Sequence, residues 1–150
     1  MKKSRIAQFV SIILKLMLVL GVASLFFLPT LYDTFSGIQE TTFNEQTIYY
    51  RVAFYMCAIG GLTIVYCLIK VFKNVYNGSP FKKETVINLK AIAILFMILS
   101  IIIAIKIIFI PSIISISVLL VTFMASLSFY VLSQVFKVAI EYKDEIDQTV

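Results

Sequence analysis

The 150-residue sequence has no histidine and no tryptophan, and only two cysteines, three prolines and five glycines. Without histidine it lacks the side chain that most often shuttles protons or holds a metal near neutral pH. Cys57 and Cys67 fall in one predicted helix, ~15 Å apart at helical rise, whereas a disulfide joins Cα atoms within about 7 Å. They cannot bridge each other, and a zinc site would have to be completed by ligands from another chain. They read as small apolar packing residues, and no cofactor or metal is expected. Charge is scarce as well: 14% of residues are charged against 61% hydrophobic, with mean hydropathy +1.00. A soluble domain does not have this composition.

What the chain has in abundance is long apolar runs. From Ala91 to Phe136 the only charge is Lys106 and the only proline Pro111. A bilayer core about 30 Å thick is crossed by ~20 apolar residues, so this run makes two passes, turned at Phe109-Ile110-Pro111-Ser112. Two earlier runs, 6–28 and 52–72, add two more spans. The first is too long for the apolar region of a secretory signal and reads as an uncleaved helix. The expected fold is all-α, an integral membrane antiparallel four-helix bundle in a single domain. Its spans are 6–28, 52–72, 86–108 and 112–136, with an outer loop 29–51, a hairpin 73–85 and a tail 137–150.

The charges orient it. Ten of 13 basic residues fall in three groups: Lys2, Lys3 and Arg5; Lys70, Lys73, Lys82, Lys83 and Lys90; Lys137 and Lys143. An even number of spans puts all three on one side, and short lysine-rich segments face the cytoplasm. The reading is a multi-pass protein of the cell membrane with both termini cytoplasmic. On the other side Arg51 and Lys106 meet Asp33, Glu40 and Glu45, and the aromatics Tyr32, Phe35, Phe43, Tyr49 and Tyr50 suit a headgroup belt or a cap on the bundle end.

Several side chains stand out. In the second span Ala53, Cys57 and Gly61, with Gly60 beside them, form a small face that lets a neighbouring helix approach. In the hairpin Asn77-Gly78 signals a turn, with Ser79 as N-cap and Pro80 at the first helical position. Phe81, Thr85, Asn88 and Leu89 then share a flank. In the fourth span Ser115, Thr122, Ser126 and Ser133 fall on one stripe facing the bundle interior. Lys106 is placed to snorkel to the outer interface. Lys15 reads either as an inner-interface lysine with a buried stem or, if deeper, as the partner of a tail carboxylate such as Glu141. Beyond the membrane Val135, Ala139, Tyr142 and Ile146 continue a helical apolar seam, flanked by Glu141, Asp144, Glu145 and Asp147. Something should cover that seam, the lysine-rich hairpin being the nearest candidate.

Two of these stretches carry a resemblance. Asn77-Gly78-Ser79-Pro80-Phe81 with Lys82, Lys83, Glu84, Asn88 and Leu89, and the tail from Val135-Phe136 to Glu145-Ile146-Asp147-Gln148-Thr149-Val150, resemble the hairpin and ending of the YoaS-like family of small bacterial four-span proteins. That family is classed as domain of unknown function (DUF) 2975. Gln148 stands where the family pattern leads one to expect leucine. The resemblance implies no activity and no catalytic residue. It implies a pairing with a cytoplasmic regulator of the Cro/repressor helix-turn-helix type.

No enzymatic activity is expected, because the spans hold no Asp, Glu or His to activate a reacting group. The preferred reading is a membrane sensor or anchor. It would bind the cytoplasmic regulator through Phe81, Lys82, Lys83, Tyr142, Asp144 and Asp147, while Lys15, Ser115, Thr122 and Ser126 form its intramembrane polar set. Alternatives are an immunity protein against a membrane-active peptide and a small transporter or channel subunit, the latter requiring a homo-oligomer to enclose a pore. Direct nucleic-acid binding is not expected, since the cations crowd the bilayer and no recognition fold is present.

Overall fold

Helix α2, Thr47–Tyr76, lies between two neighbours, and its glycines show how. A Cβ on Gly60 would come within 2.9 Å of Leu99 Cδ2 in α3, Lys83–Phe109. On the opposite face Leu62 packs so tightly on Gly21 of α1, Arg5–Ser36, that a Cβ there would collide with Leu62 Cδ2. Residues two apart on a helix point about 200° apart, so Gly60 and Leu62 dock α2 on both sides at one height. Gly61 has nothing within 4 Å. Of the small residues read as one packing face, Gly60 therefore makes the close approach and Gly61 does not.

The computed structural model describes residues 5–36 and 47–149. It is an all-helical bundle completed by α4, Ile113–Thr149. All four helices are long and apolar enough to cross a membrane. Packing follows chain order: among the described residues α1 packs on α2, α2 on α3 and α3 on α4, with no other helix pair in contact. The core lies along the two inner helices, where Ile64 and Cys67 of α2 meet Ile92 and Leu99 of α3. Phe96 and Phe129 stack beside it with ring centroids 5.8 Å apart, joining α3 to α4. Both cysteines are free. The remaining apolar surface, such as Phe26, Ile59, Ile105 and Val121, is exposed, as expected where lipid and not water is the neighbour.

The helices are longer than the apolar spans. Helix α1 continues through Pro29 to Ser36, so the connection to α2 is shorter than the 29–51 loop read from composition. A proline inside a helix costs about 3 kcal/mol in water. In lipid a broken helix would expose unpaired backbone groups at still greater cost, and transmembrane helices tolerate proline. Within the outer connection, Phe43, Glu40 and Glu45 lie outside the described residues, as do Lys2 and Lys3 at the start of the chain.

At the other end Asn77-Gly78 terminates α2 and does not open α3. Gly78 has φ 76°; its N–H donates to the Val75 carbonyl at 3.1 Å and that of Ser79 to the Asn74 carbonyl at 3.1 Å. This is the double bond of a Schellman cap, with Pro80 following as such caps favour. Ser79 and Pro80, expected as N-cap and first residue of α3, therefore belong to the connection. Helix α3 begins at Lys83, capped by extended Lys82 without a side-chain bond. The chain needs those residues to cross from one helix to the next after its left-handed turn.

Candidate functional site

Buried polar groups fall at two places in this apolar bundle. The first is the α3/α4 seam. Ser126 Oγ donates to the Ala93 carbonyl at 2.7 Å, the Ser100 and Thr122 hydroxyls meet at 3.0 Å, and Lys106 Nζ donates to Ser115 Oγ at 3.2 Å. Ser115, Ser126 and Ser133 are buried, so the stripe read from their spacing does face inward. Thr122 also donates to the Val118 carbonyl at 2.9 Å. Lys106 is drawn across the Pro111 corner to α4. Hydroxyls on small side chains let the two helices come close and pin them by hydrogen bonds, each worth about 0.6 kcal/mol on average in a membrane. This seam is a structural clasp.

The second place is the lysine-rich end. Asn74 of α2 donates through Nδ2 to Thr85 Oγ1 of α3 at 3.2 Å, and both are buried. Asn88, one turn on, is 8% exposed, and its Nδ2 has no hydrogen-bond partner among the described residues. Gln8 Nε2 of α1 donates to the Tyr76 hydroxyl at 3.0 Å, which brings the start of α1 to the hairpin. Phe81 covers this end by packing on Phe136 of α4, ring centroids 5.5 Å apart. Asn74 was not among the residues singled out from the sequence; the signal for it is a polar residue at the α3-facing position of α2, two turns after the buried Cys67.

Past Phe136, α4 runs on to Thr149, a rod extending about 20 Å beyond the hairpin contact at 1.5 Å per residue. Phe136 and Ile140 turn inward, and Ile140 is buried. The seam one step round the helix is left open: Val135 is 57% exposed, and Tyr142 and Ile146 are each 63% exposed. Phe81 of the hairpin therefore packs on Phe136 and leaves the predicted seam exposed at Val135, Tyr142 and Ile146. Asp144 and Asp147 are exposed along this rod, as are Lys82 and Lys83 at the hairpin. Of the residues proposed to bind a partner, Phe81 is committed to an intramolecular contact, while the other five project into open space at the same end. Lys15 is exposed on α1, beside buried Leu14.

Four apolar helices, a hydroxyl clasp between the last two and a charged end from which one helix projects define a multi-pass helical membrane protein. Among the described residues no group of three or more His, Cys, Asp or Glu is placed to hold a metal. The chain belongs to the family described as protein of unknown function (DUF2975), whose model matches residues 27–150. No curated protein and no solved structure matches the chain.

Proposed function

We propose that the protein is a membrane anchor whose lysine-rich end faces the cytoplasm and holds a soluble helix-turn-helix regulator of the Cro/repressor type. The observation that carries this reading is the α4 rod, with Tyr142 and Ile146 exposed beyond the Phe81–Phe136 contact and Val135 exposed beside it. A helix with an open apolar stripe is the ligand half of a helix-in-groove complex. The acidic flank of Glu141, Asp144, Glu145 and Asp147 supplies electrostatic complementarity, because a regulator that binds DNA carries a basic face. Cytoplasmic orientation rests on the lysines gathered at this end. The role is binding, and no reaction is assigned.

The test is a photo-crosslinker at Tyr142 in native membranes, with a helix-turn-helix regulator encoded beside the protein's own gene co-expressed. Capture of the regulator, lost on Ile146→Asp, is the expected result. A regulator that stays soluble and unretained by the membrane fraction overturns the proposal.

A further inference from the structure

Antiparallel packing fixes the relative height of every residue, since each step up one helix is a step down the next. Gln8 against Tyr76 and Gly21 against Leu62 set Lys15 opposite Ile69. Asn74 against Thr85 and Gly60 against Leu99 set Lys70 opposite Leu89. Lys15, Lys70 and Lys90, on three different helices, therefore stand within about one helical step, ~1.5 Å, of a common height.

Lys70 is the informative member. Side chains on a helix lean toward its N-terminus, and α2 runs toward the lysine-rich end, so Lys70 leans back toward the middle of the bundle. Its Nζ sits 4.9 Å from the centroid of the Tyr66 ring, one turn back. Lys15 and Lys90 sit on helices that run the other way, so their stems lean toward the lysine-rich end. Lys70 closes the apolar run of α2, and an ammonium at such a boundary is stabilised by the phosphates of anionic headgroups. From there Val52–Ile69 is free of charge up to Arg51, a rise of about 28 Å, which matches a hydrocarbon core of about 30 Å.

We infer that Lys15, Lys70 and Lys90 form a collar that binds the phosphates of anionic lipids and fixes the depth of the protein in the bilayer. The collar puts the hydrocarbon boundary at the height of Lys70. The Asn74–Thr85 pair and the α4 rod then lie outside it, where lipid tails cannot cover Tyr142 and Ile146. The partner is the lipid phosphodiester. Its geometry is independent of which protein docks on α4.

The experiment uses the full chain in nanodiscs of mixed phosphatidylglycerol and phosphatidylcholine, with retained lipid counted by native mass spectrometry. Phosphatidylglycerol should be retained preferentially. The preference should fall about fivefold for each collar lysine replaced by glutamine, survive replacement by arginine, and persist in excess inorganic phosphate. Lys82→Gln with Lys83→Gln should leave it nearly unchanged. Equal losses from the collar and hairpin variants would overturn the collar in favour of diffuse attraction. A second readout stands even if the triple variant fails to fold. Nitroxide labels at positions 59, 69 and 75 should report hydrocarbon, the headgroup boundary and water respectively, and a label at position 75 reporting hydrocarbon would overturn the placement.

Discussion

Replacing Gly60 with leucine tests the packing of the inner helices, because the structure predicts opposite outcomes for two adjacent glycines. The first carbon added at Gly60 meets Leu99 Cδ2 at 2.9 Å, while at Gly61 it meets nothing within 4 Å. Both changes relieve the helix of a glycine, worth up to about 1 kcal/mol, so the difference between them isolates the steric cost. Overpacking a close helix contact costs about 1–3 kcal/mol, which places Gly60→Leu below Gly61→Leu by roughly 5- to 150-fold in the folding equilibrium. Leu99→Ala on its own leaves a cavity, but without a water-to-oil transfer penalty its cost sits toward the low end of the usual 2–5 kcal/mol. Combined with Gly60→Leu it moves one isobutyl group across the same interface, so the pair should be at least 1 kcal/mol less damaging than the sum of its parts. Reversible unfolding in mixed micelles titrated with sodium dodecyl sulfate, followed by far-ultraviolet circular dichroism, gives all four values. Equal stabilities for the Gly60 and Gly61 variants, or strict additivity with Leu99→Ala, would refute the α2/α3 contact.

The same assay reads the clasp: Ser126→Ala removes the bond to the Ala93 carbonyl and should cost about 0.6–1.7 kcal/mol, whereas Ser128→Ala, whose hydroxyl serves only its own helix at the Met124 carbonyl, should cost close to nothing. Gly78→Ala places a Cβ on a residue at φ 76° and should destabilise by about 1–2 kcal/mol, with Gly78→Asn milder by the same measurement. Gly21→Leu should separate α1 from α2 while sparing the distal helices. The check is a pair of spin-label distances in a background free of Cys57 and Cys67: that between positions 8 and 76, whose side chains meet in the fold, should lengthen, and that between positions 100 and 122 should not. Lys15→Leu should leave insertion and fold intact, measured by resistance to alkaline extraction from membranes, because the residue is exposed.

The membrane spans were readable because lipid imposes a length and an apolar content that no soluble helix needs, and the Ser115, Ser126 and Ser133 stripe because its spacing matches the helical period. Helix ends were less readable. Hydropathy reports where lipid stops, not where backbone bonding stops, so it gave no sign that α1 passes Pro29 or that α4 stays helical to Thr149; only the apolar period of the tail indicated the latter. Asn77-Gly78 marked the turn, and its left-handed glycine is the usual end of a helix, but the Ser79-Pro80 pair that follows equally suits a helix start, so the sequence left the first residue of α3 misplaced. The choice of Gly60 over Gly61 was out of reach, because it depends on the rotation of α2 between two partners. The docking of Phe81 on Phe136 was hidden for a similar reason: it joins residues whose nearness depends on the length of the connection at 77–82.

Packing in chain order gives these parts unequal weight. Helix α1 touches the rest through α2, whereas α2, α3 and α4 share the buried cluster, the Asn74–Thr85 pair and the serine clasp. The family match begins at residue 27, so what it covers is nearly this three-helix unit with its projecting rod. A rod fixed along α3 by the clasp and by Phe81 cannot swing independently of the membrane-embedded part. The exposed rod and the membrane span are thus parts of one continuous helix, which the Ser126 bond to the Ala93 carbonyl holds against α3.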